Sequence, residues 1–395
     1  MQTGVIGTLW HQDAGDLVDR LDAAFRAGVR NGSGAARCSE QLEGCVLACL
    51  TLPSNKPSCP PPDPVQVFKT TGLLVAADVW LVNAAQLRTH LGLAQNTCAA
   101  QLIGKLYQTE GEAGLDRLSG DYAFVIYDSD AEKIIARRDP FGVRPLFWAM
   151  IGPSVAFSSL PETLVDAGLI EGQRDAAGVL DMIARSAADR PATLTKGLNR
   201  IPAAMQMTLQ RGDKVPVFKR YWTPKPQAES VPQSFEAWTG ALRQKMEKAV
   251  QSRLPDAGDL AASVSSGLDS TSVVMLAERN LQAGQHIFAS TYAASQEAEK
   301  AYPGMLDETE VAAQVVAGSN SISWEKIRYR KNAELTNVVI GAATWVPDAD
   351  LNPEFRTAKN AAMQGADTML TGWGGDNVVS YKGYGVASSL LKTGK

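Results

Sequence analysis

Residues 260–279 read LAASVSSGLDSTSVVMLAER, and no other stretch constrains the fold as much. Leu260 to Val264 is an apolar run of strand length. It stops at Ser265-Ser266-Gly267, which favour a turn. After Leu268, Asp269 and Ser270 an amphipathic run of helix formers follows. A buried strand turning through a Ser/Gly loop into a helix is the opening half of a βαβ unit. Backbone N–H groups and the positive end of the helix dipole converge on such a loop, so it suits an anion. Gly267 lets the backbone approach closely, and Ser265 and Ser270 add hydroxyl donors. No GxxxxGK[ST] pattern is present, so this is not a Walker loop. Asp269 would repel phosphates unless a cation lay between, and Mg²⁺ binds through one or two carboxylates plus phosphate oxygens. The competing account is a capped βα turn in which Asp269 only complements the dipole.

The surroundings agree with an open α/β sheet. Phe235, Trp238, Leu242, Met246, Val250 and Leu254 recur at helical spacing, with Ser234 placed to cap. Strand 260–264, helix 270–281, strand 286–292, helix 307–317, strand 322–327 and strand 366–371 then alternate, which predicts a doubly wound parallel sheet. Its last strand runs into MLTGWGGDN, 369–377, another Gly-rich turn carrying Asp376. Ligands of such sheets sit beyond the carboxyl ends of the strands. Two loops, each with glycines and one Asp, would hold Mg²⁺ and a triphosphate between them. The alternative is a chance Gly-rich loop.

The first half of the chain has another character. Short β-like runs (GLLVAADVWLV, GDYAFVIYDSD, KIIARRD, LFWAMIG, SVAFSS) are separated by turn residues, with helical patches near 13–27 and 97–109. This predicts stacked antiparallel sheets with helices, an α+β domain. The proline-rich 53–64 reads as a surface loop, and 223–234, polar with three prolines, as the domain linker. The expected division is therefore 1–222, linker 223–234, and 235–395. Of 395 residues 45% are hydrophobic and 20% charged, and the formal net charge is −4. No dense Lys/Arg tract suggests nucleic acid or an anionic membrane as partner. The N-terminus lacks the pattern of a secretory signal, and the apolar stretch 73–82, which carries Asp78, is too short to span a bilayer. Cys38, Cys45, Cys49, Cys59 and Cys98 form no CxxC pair, so a disulfide framework or zinc site is not expected. Cys45 and Cys49 read as a pair on one helix face or as buried residues. The expected compartment is the cytoplasm.

SSGLDS resembles the SGGxDS pyrophosphate loop of N-type ATP pyrophosphatases, with Ser266 in place of one glycine. LTGWGGD resembles the second ATP loop of the asparagine synthetase family. LSGDYAFVIYD (118–128), ARRDPFGVRPLFW (136–148), AFSSLPETL (156–164), VAADVWLVNAAQLRTHLG and RYW (220–222) are similar to that family's class II glutamine amidotransferase domain. The ordered set covers nearly the whole chain. It implies an Ntn-hydrolase-like α+β sandwich followed by a PP-loop ATP pyrophosphatase sheet. It also implies ATP and Mg²⁺ as cofactors, and activation of a carboxylate as an acyl-adenylate that an amine displaces. By this resemblance Asp269 and Asp376 are catalytic and hold the metal. Val264, Ser265, Gly267, Asp269, Ser270, Ser290, Thr371, Gly372, Gly374 and Gly375 meet the nucleotide. For Val264 and Thr371 the alternative is strand core.

Three departures narrow the expectation. Family glutaminases carry cysteine after the initiator Met, whereas here Gln2 stands there, so the first domain is expected to lack glutaminase activity. Asp121, which matches a glutamine-binding aspartate, is then a vestige of that pocket or a turn residue. Trp373 stands where asparagine synthetases place Glu and β-lactam synthetases Tyr. With GYG at 383–385 it resembles the branch containing lasso-peptide cyclases, which join a peptide's own amine to its Asp or Glu side chain. Its alternative role is packing in a tight loop. Family members usually continue through further helices, so the chain is expected to be a truncated or short form. The favoured expectation is a macrolactam cyclase acting on a peptide or amino-acid substrate, with a leader-binding or protease partner. The alternatives are an asparagine synthase, a β-lactam synthetase-like ligase, and a non-catalytic nucleotide-binding homologue.

Overall fold

The computed structural model describes residues 3–11, 13–28, 35–51, 66–183, 191–225, 234–301, 308–328, 353–366 and 368–378. These fall into two compact units, one ending at 225 and the other starting at 234. Gln2, Cys59, the 53–64 loop, 226–233 of the linker, GYG at 383–385 and the tail after 378 lie outside the described residues.

The first unit contains β1 (Thr3–Leu9), α1 (Ala14–Gly28), β2 (Ala36–Leu42), β3 (Cys45–Thr51), β4 (Gln66–Thr70), β5 (Leu73–Leu81), α2 (Ala84–His90) and α3 (Ala99–Gly114). It continues with β6 (Gly120–Asp128), β7 (Lys133–Arg138), β8 (Phe147–Ile151), β9 (Ser154–Ser158), α4 (Pro161–Asp166), α5 (Ala176–Ile183), β10 (Asn199–Arg200), β11 (Met205–Gln210) and β12 (Val217–Arg220). Two six-stranded sheets form, in the orders β10-β8-β9-β1-β3-β2 and β12-β11-β7-β6-β5-β4, with every pairing antiparallel. Side chains of a strand alternate between faces. Thus Cys45, Leu47 and Cys49 of β3 meet Leu74, Ala76, Val125 and Ile134 between the sheets. Val46, Ala48 and Leu50 turn outward beneath Val18, Leu21 and Phe25 of α1. On the second sheet, Val75, Phe124 and Ile126 lie under Leu102, Ile103 and Leu106 of α3. Inner strands such as β5, β6 and β9 are buried on both faces, which is why they read as continuous apolar runs, and the expected α+β sandwich is four layers deep. Cys45 and Cys49 share a strand face, not a helix face, and burial pushes the Cys45 thiol up to about 11 and that of Cys49 well above its usual range.

The second unit contains α6 (Phe235–Gln251), β13 (Leu260–Ser263), α7 (Leu268–Arg279), β14 (Ile287–Ala293), α8 (Gln296–Ala301), α9 (Thr309–Val316), β15 (Ile322–Arg328), α10 (Pro353–Met363), β16 (Thr368–Leu370) and α11 (Gly375–Val378). The four strands are parallel in the order β15-β14-β13-β16. Leu260, Ala262 and Val264 face a core built with α6, α7 and α9, while Ala261 faces Ala361 of α10. Helices cover both faces, so the sheet is doubly wound as expected. The chain steps from β13 through β14 to β15 and returns to β16 on the other side of β13. The carboxyl ends of β13 and β16 therefore flank the topological switch point, where open sheets place ligands. Among the described residues no helix is long and apolar enough to cross a membrane.

Candidate active site

β13 stops pairing at Ser263, opposite Ser290 of β14. Val264 follows with its side chain in the core and its N–H donating to the Ser290 carbonyl at 3.0 Å. The chain then closes a compact loop. Ser265 N–H donates to Ser270 Oγ at 3.1 Å, the two hydroxyls lie 2.7 Å apart, and Gly267 N–H donates to Ser265 Oγ at 3.0 Å. Thr271 Oγ1 sits 3.2 Å from the Ser265 carbonyl and 2.5 Å from that of Gly267. These short contacts set the loop on the first turn of α7, whose first N–H groups have no partner within the helix. Ser266 keeps a negative φ, so replacing the family glycine by serine introduces no backbone strain.

The second loop packs onto the first. A Cβ on Gly372 would lie 2.5 Å from Ser270 N, and one on Gly375 would lie 2.2 Å from Asp269 Cγ. Only glycine permits either contact. Gly374 has φ +85°, and Gly375 N–H closes the turn on the Gly372 carbonyl at 3.1 Å. The half-buried Asp269 side chain thus rests on the backbone of Gly375, and the next residue is Asp376, exposed in the first turn of α11. The two aspartates, far apart in the chain, belong to adjoining loops.

This donor set fits Mg²⁺. It supplies carboxylate oxygens with hydroxyls beside them, and among the described residues no cluster of three or more His, Cys, Asp or Glu could cage a metal alone. A hard cation that keeps waters and shares phosphate oxygens needs only one or two carboxylates. Ser290 adds a second fit. It is 6% exposed in the middle of β14, opposite the last paired residue of β13, and its Oγ has no hydrogen-bond partner among the described residues. A buried hydroxyl of this kind is costly unless something pairs with it.

Of the residues expected from sequence, Ser265, Gly267, Asp269, Ser270, Gly372, Gly374, Gly375 and Asp376 come together in the two loops. Val264 is core, as its alternative held, and Thr371 is half-buried behind the second loop. Trp373 is 79% exposed and does not pack in its loop. Asp121 belongs to the first unit. It lies in β6 opposite Trp80 of β5, so it is a strand residue and not a turn residue. Sequence reasoning passed over Thr271, Thr291 and Trp324, which brace the first loop. Thr271 was recoverable, because a Thr in the first turn of a helix after a Gly-rich loop commonly bonds local backbone.

Residues 68–222 match the glutamine amidotransferase domain model and residues 241–393 the asparagine synthase model. Asparagine synthetase [glutamine-hydrolyzing] 3 of Bacillus subtilis is 25% identical over 203 residues, covering 50% of this chain and 32% of that protein. Asparagine synthetase [glutamine-hydrolyzing] 2 of Arabidopsis thaliana is 27% identical over 244 residues, covering 61% and 36%. Amidase chyE of Penicillium rubens is 23% identical over 291 residues, covering 71% and 42%. The chain thus spans well under half the length of the curated relatives it matches. A solved glutamine phosphoribosylpyrophosphate amidotransferase from B. subtilis aligns over 93% of this chain and 90% of that one at 13% identity, with a TM-score of 0.40, too low to carry an argument. The two matched domains occur in one order and together take in most of the sequence, so the chain belongs to the asparagine synthase family, an amidotransferase-type domain preceding a synthase-type domain.

Proposed function

We propose that the chain is an ATP-dependent, AMP- and pyrophosphate-forming carbon–nitrogen ligase, and that the amine it uses is carried by a peptide which it closes into a macrolactam. The observation that carries the ligase reading is the contact between the two loops: Gly372 and Gly375 press on Ser270 and Asp269 at the sheet's switch point. The first-turn amides of α7 and the hydroxyls of Ser265 and Ser270 suit the pyrophosphate end of ATP. Ser290, Thr371, Gly372 and Gly374 suit its nucleoside and α-phosphate side. Asp269 and Asp376 would hold Mg²⁺, which supplies charge neutralisation for the departing pyrophosphate. The loops are braced by their own hydrogen bonds, so they need little reorganisation to bind charge.

The macrolactam reading rests on Trp373. Its exposed indole, one residue from Gly372, offers an apolar wall suited to a peptide. An amine on the same molecule as the activated carboxylate reacts with an effective molarity of about 10⁵ M or more when well oriented. Asp121 is then a vestige of a glutamine pocket, and a leader-binding or protease partner in the cytoplasm would deliver the peptide. Asparagine formation is the second reading, because the relatives above are named for it.

Incubation with Mg-ATP, a precursor peptide, aspartate and ammonium tests these readings together. The ligase reading requires AMP and pyrophosphate, with release abolished in Asp269→Asn and in Asp376→Asn. Full activity of either variant removes the metal assignment. Mass spectrometry then separates the products. A peptide lighter by one water is expected, and asparagine without dehydrated peptide would replace the macrolactam reading with the second one. Nucleotide binding without turnover would mark a non-catalytic homologue.

A further inference from the structure

The carbonyl of Val264 lies just beyond the last paired residue of β13. A side chain takes it: Thr291 Oγ1 donates to the Val264 carbonyl at 2.8 Å. Trp324 Nε1 in turn donates to Thr291 Oγ1 at 2.8 Å. Trp324 stands opposite Ala289 in the β14–β15 ladder, so its indole reaches one pleat along to Thr291 on the same sheet face. Thr291 is 2% exposed, and Trp324 is partly buried against the sheet core. An indole N–H can only donate, and a threonine hydroxyl has one proton. The Val264 carbonyl can only accept, so the Thr291 hydroxyl sends that proton to it and receives the Trp324 N–H on a lone pair. The direction of the relay is therefore fixed.

We infer that Trp324 and Thr291 are positioning residues for the anion loop, a relay that starts two strands away on β15. Val264 is held at both ends, by Ser290 through its N–H and by Thr291 through its carbonyl. That sets the plane of the Val264–Ser265 peptide, and with it the direction of the Ser265 N–H, which points to Ser270 Oγ. Removing the relay leaves the core nearly unchanged but frees the first peptide of the loop to rotate. The inference rests on the reading that this loop takes the phosphates of ATP.

The test compares the whole chain with Thr291→Val, which keeps shape and loses the hydroxyl, Thr291→Ser, which keeps the hydroxyl, and Trp324→Phe, which keeps a ring and loses the donor. Titration calorimetry with Mg-ATP is paired with melting temperature and with hydrogen exchange of the segment 260–270. Thr291→Val should bind about tenfold more weakly and exchange faster in that segment than in the rest of the chain, with a modestly lowered melting temperature, because both hydrogen bonds of the hydroxyl are lost and the Val264 carbonyl and Trp324 N–H are left unpaired. Thr291→Ser should restore binding to within about twofold, and Trp324→Phe should fall about threefold. Binding by Thr291→Val within twofold of the parent overturns the relay. If Thr291→Val does not fold, Trp324→Phe decides by the same criterion. If the parent chain does not bind Mg-ATP, the nucleotide reading falls and the relay's role falls with it.

Discussion

Asp139 and Asp269 both follow the end of a strand beside a short glycine-containing loop, Asp269 in the first turn of α7, and the molecule uses them in opposite ways. Asp139 is fully buried, and its carboxylate accepts from Phe141, Val143 and Arg144 N–H at 3.0 Å each and from Tyr122 N–H at 3.4 Å. Arg138 closes the same loop, donating to the carbonyls of Arg144 at 2.7 Å, Ile201 at 2.6 Å and Gly142. Every donor there is turned inward. Asp269 instead is half-exposed in the first turn of α7, where the second loop packs against it. A loop with glycine and an acid is therefore not in itself a site. It becomes one when the acid stays open to solvent and a second loop arrives beside it.

This contrast can be broken at three points. The largest effect is expected from Asp139→Ala, which orphans several buried amides and should cost about 3–5 kcal/mol in denaturant unfolding. A loss under about 1 kcal/mol would mean the loop holds itself by other contacts. Next is Gly372→Ala, whose methyl would meet Ser270 N at 2.5 Å. It should cost about 1–3 kcal/mol and also abolish pyrophosphate release. Gly240→Ala is the control, because its Cβ meets nothing within 4 Å and it lies inside α6, so it should be neutral or stabilising by up to about 1 kcal/mol. Similar results for the two glycines would deny that the loops touch. The smallest stability effect belongs to Asp269→Asn, within about 0.5 kcal/mol of the parent chain, although activity disappears. A loss as large as that of Asp139→Ala would make Asp269 structural, and the comparison would collapse.

What the sequence determined by itself was local. Alternation and apolar runs marked β5 to β9 and the βα order of the second unit, because side-chain direction follows from backbone period. Ser234 was legible as a cap, and its Oγ accepts Ala237 N–H at 3.1 Å. The acid and glycine positions of both loops were legible because a turn into a helix start needs particular residues. The tertiary structure decided whatever depended on a distant partner. The stripe on α6 predicted one buried face, yet only Met246, Val250 and Leu254 pack on the core, while Phe235, Trp238 and Leu242 are 79%, 52% and 47% exposed. Periodicity gives the face of a helix and not the length over which something covers it. β1, β2 and β3 carry weak local signals and became strands through pairing, the helices α2, α4 and α8 fall below the length at which a period can be read, and α5 and α10 are not distinguished from their surroundings. That Gly372 must be glycine because Ser270 lies against it, and that Thr291 and Trp324 hold Val264, follows from side chains meeting across the sheet. Such contacts leave no periodic trace along the chain, so only the fold could show them.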